Sequence, residues 1–246
     1  MSNKSVMIGT PMYGGSCSYV YTNSLITNLF DLKNHNIDTS WCFVYNDSLI
    51  TRARNYIVDY FLNSNCTHLM FIDADISFPS DSIRKLLDVE KDFVCASYPK
   101  KNIDWNNISK KINEVKNEDE LRKLGSSYVI TYLDSNNIPL PDENALIEVK
   151  QSGTGFMLIS RQVFEILKSK LPKTRGSNFG KYDHWYTEFF RTDIDSDGVF
   201  QSEDWFFCNQ WVNLNEKIYL KTDINLGHVG SYLYEGDMIK FGANLS

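Results

Sequence analysis

Residues 67–76 read THLMFIDADI: a mostly apolar run that ends in two aspartates separated by one alanine. An unbroken apolar run of this length is the pattern of a strand covered on both faces. Ionised carboxylates are almost never buried without a partner. Asp73 and Asp75 therefore belong at the end of such a strand, where a cleft can open. Two carboxylates at i and i+2 just past a buried strand can converge on one hard divalent cation. The plain structural alternative is a helix cap supplied by Asp75 or Asp81. The apolar run "LMFI" in front of the pair favours the metal, because a cap has no need of a buried strand to deliver it.

Working outward, the first hundred residues alternate between strand-like and helix-like patterns. Residues 5–10 read as a strand that runs into the Gly/Pro loop GTPMYGG (9–15), and 39–45 as a second strand. Residues 92–98 read as a strand beyond the one at 67–72. Between them, 19–33 and 49–63 read as helices, and PSDSIRKLL supplies a third, with Pro79 at its start and Ser80 or a neighbour as cap. This rhythm predicts an α/β fold with a mostly parallel central sheet flanked by helices. Ligands bind outside the carboxyl ends of the strands in such sheets. Residues 102–150 are more polar and read as an inserted helix followed by a β-hairpin, YVITYL pairing with LIEVK. Residues 151–169 read as a strand and a helix, 172–184 as loop, 203–214 as a helix opened by two acids, and KIYLKT as a last strand before an irregular tail. The 246 residues suit a single domain spanning 1–246, with 102–150 inserted and 225–246 closing it.

The totals narrow the function. A formal net charge of −6 argues against a nucleic-acid-coating surface, and no basic stripe is present. The five cysteines show no CxxC spacing, which favours free thiols over disulfides or zinc. No stretch has the apolar length of a membrane span, and no signal-peptide pattern opens the chain, so a cytoplasmic location is expected.

Four further groups carry candidate chemistry. In SLITRARN (48–55), Arg52 and Asn55 share a helix face, and Arg54 lies off it. Arginine suits phosphate or base recognition, although isolated arginines are more often a solvated face. In SGTGFMLI, Gly153 and Gly155 bracket Thr154 and allow a close backbone approach, with a simple bulge as the plainer alternative. In QSEDWFF, Glu203 and Asp204 open a helix, where the helix dipole favours acids anyway; a general base is the functional alternative. In NLGHVGS, His228 sits between two glycines and is a better metal-ligand candidate than His35, His68 or His184.

Taken in order, these pieces resemble the GT-A glycosyltransferases, especially those of glycosyltransferase family 2. The matching segments are Ala53-Arg54-Asn55, then Phe71-Ile72-Asp73-Ala74-Asp75, then Gly153 through Arg161 in a G-x-G-x-x-x-x-x-R pattern, then Glu203-Asp204, then His228-Val229-Gly230. Roughly residues 4–98 and 150–232 are covered, and the chain is also similar to glycosyltransferase domains of large algal viruses. The resemblance implies a GT-A (Rossmann-like) fold and transfer of a sugar from a nucleotide-sugar donor, UDP favoured, to a hydroxyl of a glycan, glycolipid or glycoprotein, with inversion. It implies that Asp75, Asp73 and His228 hold Mn²⁺ or Mg²⁺. Thr10, Pro11 and Tyr13 would line the base pocket, near Arg52, Arg54, Asn55 and Ala74. Gly153 and Thr154 would flank the sugar, with Trp205 as a platform. Asp204, beside Glu203, would be the base, and the loops at 172–184 and 230–237 would close over the substrate, with Tyr232 and Tyr234 as contacts. The stretch 102–150 has no counterpart in the resemblance.

Competing expectations are a retaining transferase of the same fold, a sugar nucleotidyltransferase, a non-catalytic carbohydrate-binding domain and a metal-dependent nuclease. GTPMYGGSC lacks the basic residue a nucleotidyltransferase loop carries. A binding domain has no use for four acids in this order, and the acidic net charge counts against a nuclease.

Overall fold

The computed structural model describes residues 4–178 and 181–241. The first part of the chain gives β1 (Ser5–Met12), α1 (Tyr19–Asn34), β2 (Asp38–Tyr45), α2 (Ile50–Leu62), β3 (His68–Ile72), β4 (Ile76–Ser77), α3 (Ser82–Asp88) and β5 (Phe93–Cys95). The middle part gives α4 (Trp105–Lys111), α5 (Glu118–Leu124), β6 (Ile130–Tyr132), β7 (Leu146–Ser152), β8 (Phe156–Ser160) and α6 (Arg161–Lys168). The last part gives β9 (Lys173–Asn178), β10 (Lys181–Thr187), β11 (Asp193–Ile194), β12 (Phe200–Gln201), α7 (Glu203–Val212), β13 (Ile218–Lys221), β14 (Gly227–Val229), β15 (Leu233–Glu235) and α8 (Met238–Phe241).

Eight strands form the central sheet in the order β2-β1-β3-β8-β5-β13-β7-β6. β1 is parallel to β2 and β3, and β5 is parallel to β13. β8 lies antiparallel between β3 and β5, and β7 lies antiparallel between β13 and β6. Only β8 and β7 therefore oppose the direction of the other six. The fold is α/β with a mostly parallel sheet, as the alternating pattern predicts, and its strand order departs from chain order. β3 and β5 are not neighbours; the strand after SGTG inserts between them.

The apolar run at 68–72 does what its sequence requires. Leu69 and Phe71 face one layer of core together with Ile57 and Phe61 of α2, Phe164 of α6 and Phe207 and Trp211 of α7. Met70 and Ile72 face the opposite layer with Tyr21 and Leu32 of α1 and Ile83 and Leu86 of α3. β8 alternates in the same way, Met157 and Ile159 against Phe156 and Leu158. A period of two on a doubly covered strand makes every residue apolar, which is why these runs show no polar alternation.

Several local expectations are corrected. The helix after PSDS begins at Ser82 behind Asp81, so Pro79 and Ser80 lie before it. The polar stretch after residue 102 forms two short helices, α4 and α5, rather than one. The hairpin expected beyond them is present as β6 against β7. The stretch 172–184, expected as loop, instead contributes to the antiparallel pair β9 (Lys173–Asn178) and β10 (Lys181–Thr187). The expected irregular tail contributes β14 and β15; β14 pairs with β4 on one side and β15 on the other, in a small three-stranded sheet. Among the described residues no helix is long and apolar enough to cross a membrane.

Candidate functional site

Asp73 and Asp75 follow β3 directly and lie at its carboxyl end, beside the loop that leaves β1. The Asp73 amide donates to Gly155 O (3.0 Å), the Ser18 amide at the start of α1 donates to Ala74 O (2.9 Å), and the Val229 amide donates to Asp75 O (2.8 Å). Three separate parts of the chain thus hold the Asp-Ala-Asp backbone. The space above it is a cleft of ≈ 600 Å³ bordered by Pro11, Tyr13, Cys17, Asp47, Arg54, Asp73, Ala74 and Asp75.

The two aspartates have different surroundings. Asp73 accepts from Nη2 of Arg54 at 3.3 and 3.4 Å, and Arg54 Nη1 donates to Glu203 at 2.6 Å. Arg54 is only 4% exposed and is the cation between two carboxylates contributed by β3 and α7. Burial works against its charge, but Asp73 and Glu203 outweigh burial and raise its pKa. Burial raises the Glu203 carboxyl above its ordinary range; Arg54 opposes this, and neighbouring Asp204 adds to it.

Asp75 faces away from Arg54 toward β14. Pairing of β14 with β4, His228 opposite Ile76, sets His228 beside it. His228 Nε2 lies 3.5 Å from Asp75 Oδ1, and His228 Nδ1 is 2.8 Å from Pro99 O. A carbonyl can only accept, so Nδ1 donates to Pro99 O, which fixes the ring with Nε2 turned toward Asp75. Lys101 Nζ donates to the other carboxylate oxygen, Asp75 Oδ2, at 2.5 Å. Burial by itself would raise the Asp75 carboxyl; the contacts to His228 and Lys101 outweigh it and hold it below the usual range.

A divalent cation fits part of this arrangement. Two ligands at roughly 2.1 Å from one ion, meeting at a right angle or somewhat wider, lie about 3.0–3.5 Å apart. Asp75 Oδ1 and His228 Nε2 have that separation. The anchored Nδ1–H is the outer contact that orients metal-binding histidines. No group of three or more His, Cys, Asp or Glu side chains among the described residues is placed to hold a metal ion. An ion here would take two protein ligands and leave its other positions to water and a bound anion, as Mg²⁺ commonly does with phosphates.

The remaining sequence candidates divide. Pro11, Tyr13 and Ala74 border the cleft, and Tyr13 is largely exposed to it. Thr10 does not reach it: the side chain is fully buried with its hydroxyl 2.6 Å from Tyr21 Oη. Arg52 is held by Asp47 through two 2.8 Å hydrogen bonds. Asn55 is buried, and its amide closes a two-way bond with the backbone of Phe190, 2.8 and 2.9 Å. It positions the segment after β10 and has little left to offer a ligand.

Gly153 and Gly155 make room for protein rather than for sugar. A Cβ on Gly153 would collide with the Tyr98 hydroxyl, and one on Gly155 would sit 2.7 Å from the Tyr98 ring and 2.9 Å from Asp73 Oδ2. Thr154 is fully buried. Arg161, the last residue of that motif, donates to the carbonyls of Phe61, Leu62, Ser64 and Cys66 and so closes the carboxyl end of α2.

Glu203 and Asp204 open α7 as expected. Asp204 accepts from the Ser202 hydroxyl and from the Trp205 amide, and Trp205 is 37% exposed. Tyr232 is exposed, while Tyr234 is buried and packs edge-on against it. Lys101 is the site residue that sequence reasoning missed. It lies in the polar stretch set aside as an insertion, and its only signal is the basic pair Lys100-Lys101 following the β5 strand pattern.

No family model matches the chain, and no curated protein does. Among solved structures, the chain is similar to the crystal structure of A197 from STIV: TM-score 0.49, 15% identity, 94% of this chain and 93% of that one covered. A second is the crystal structure of a glycosyltransferase involved in the glycosylation of the major capsid of PBCV-1: TM-score 0.26, 10% identity, 67% of this chain and 63% of that one covered. Likenesses at these levels assign no function.

Proposed function

We propose that the chain is a metal-dependent glycosyltransferase that moves a sugar from a nucleotide-sugar donor to a hydroxyl of a glycan, glycolipid or glycoprotein, with inversion. The observation that carries this reading is the Asp75–His228 pair at 3.5 Å, its histidine fixed by Pro99 O, on the rim of a cleft at the carboxyl ends of β1 and β3. That is where a sheet of this kind presents its ligand.

Asp75 and His228 would hold Mn²⁺ or Mg²⁺, which neutralises charge gathering on a departing diphosphate. The cleft accommodates the nucleotide, with Tyr13 offering a face for the base. UDP is the favoured nucleotide on the resemblance to family 2. Arg54 keeps Asp73 and Glu203 in place from below and gives the cleft floor its fixed charge.

Asp204 is the better base of the adjacent acids. Glu203 is held by Arg54 at 2.6 Å, whereas Asp204 accepts locally, from the Ser202 hydroxyl and the Trp205 amide at the start of α7. In this role Asp204 takes the proton of the acceptor hydroxyl as that oxygen attacks the anomeric carbon. Trp205, exposed beside it, supplies a flat apolar surface for a sugar ring.

Thermal unfolding with UDP, GDP, dTDP and CDP, each with and without Mn²⁺, tests the reading. A ligand at a hundred times its Kd stabilises the native state by about 2.7 kcal/mol. One nucleotide should raise Tm only when the metal is present. No shift with any of the four at millimolar concentration would overturn the assignment.

A further inference from the structure

The polar connection after β5 sends one lysine back into the site. Lys101 Nζ meets Asp75 Oδ2 at 2.5 Å, while His228 Nε2 faces the other oxygen, Oδ1, at 3.5 Å. The lysine stem has a prepared path. A Cβ on Gly230 would lie 3.1 Å from Lys101 Cδ and 3.3 Å from its Cγ, so the glycine two residues after His228 leaves the space the stem crosses. The two halves of the His-Val-Gly segment thus act on opposite sides of one carboxylate, the histidine by its ring and the glycine by the side chain it lacks.

An ammonium and a divalent cation attracted to the same carboxylate repel each other strongly at such range. Resting on the reading of Asp75 and His228 as the metal pair, we infer that Lys101 is a resident cation. It occupies Asp75 while the cleft is empty, yields that carboxylate to the divalent ion, and turns its ammonium onto the diphosphate of the incoming ligand. Lysine suits this transfer because its charge sits on a flexible stem with three donors that do not require one fixed geometry. The stem is 41% exposed and so has room to swing. The consequence is coupling: metal alone binds weakly because it must displace a cation, and metal with diphosphate binds well because the displaced cation gains a new partner.

The test uses the full chain and two probes, Mn²⁺ alone and inorganic pyrophosphate with Mn²⁺. Free Mn²⁺ is followed by its electron paramagnetic resonance signal and pyrophosphate binding by calorimetry. Lys101→Met keeps the stem and removes the charge. It should bind Mn²⁺ alone about tenfold more tightly than wild type and bind pyrophosphate with Mn²⁺ about tenfold more weakly. Gly230→Ala, which crowds the stem without touching a charge, should move both affinities in the same directions. Mn²⁺ binding with unchanged affinity in Lys101→Met overturns the resident-cation role and leaves the metal pair standing. Absence of Mn²⁺ binding in wild type and both variants overturns the metal pair and the inference together.

Discussion

At the scale of single residues, Asp73 and Asp75 are adjacent in pattern but divided in task. Asp73 belongs to a buried ion cluster through Arg54, and Asp75 belongs to the rim with His228 and Lys101. Substitutions should separate them. Asp75→Ala should lose the Mn²⁺-dependent Tm increase given by a nucleoside diphosphate while leaving the Tm of the free protein close to wild type. Asp204→Asn should keep the nucleotide-dependent increase and lose transfer; retained transfer removes Asp204 as the base. Arg54→Met acts differently, because it strands two carboxylates around a nearly dry position. Breaking a buried ion pair by deleting one partner costs about 3–5 kcal/mol. Urea unfolding should show a loss of that order, and a change under 1 kcal/mol would mean that water reaches the cluster.

At the scale of elements, the site depends on where α2 starts and stops. Asn55 ties its first half to Phe190, and Arg161 covers its last carbonyls and lies over the Phe61 ring at 4.5 Å. Cations at a helix carboxyl end are favoured by the dipole, and charged hydrogen bonds contribute about 1.5–3 kcal/mol each. Arg161→Ala should therefore cost at least about 2 kcal/mol in equilibrium unfolding. It should weaken nucleotide binding only through Arg54, which rides on the same helix. The Gly-x-Gly before β8 is an element-scale device too. Its glycines let Tyr98 pack beneath the Asp73 backbone, so Gly155→Ala should displace Asp73 and lower stability, checked by unfolding and by nucleotide affinity together.

At the scale of the whole molecule, the sheet separates reactive surface from sealed core. Cys42 and Cys95 are buried in the α2 and α6 layer, and burial pushes their thiols to about 11 and about 12. Burial raises Cys208 as well. Cys17 is exposed and borders the cleft. At pH 8 the native protein should release one fast equivalent of thiol to a disulfide reagent. Cys17→Ser should abolish it, and nucleoside diphosphate with Mn²⁺ should slow it. Fast reaction of three or more thiols would contradict the packing of the core.

What the sequence determined by itself was local and periodic. The apolar run at 67–72 marked a strand covered on both faces, helical spacing over 49–63 marked α2, and the Asp-Ala-Asp at a strand end marked the rim of a cleft. These follow from burial on both faces of a strand and from the 3.6-residue turn of a helix, which neighbouring residues suffice to reveal. Tertiary structure alone decided the rest. The antiparallel insertion of β8 between β3 and β5 is a matter of long-range pairing, which leaves no periodic trace. The same holds for β14 against β4, the pairing that carries His228 to Asp75 across 153 positions of chain. Thr10 and Asn55 read as ligand contacts until packing showed their polar atoms already bonded within the protein. Lys101 could not be read at all, because a lysine in a polar segment looks like solvated surface until the fold returns it to a carboxylate. Charge pairing between distant segments depends on three-dimensional distance, and sequence order does not encode that distance in any local pattern.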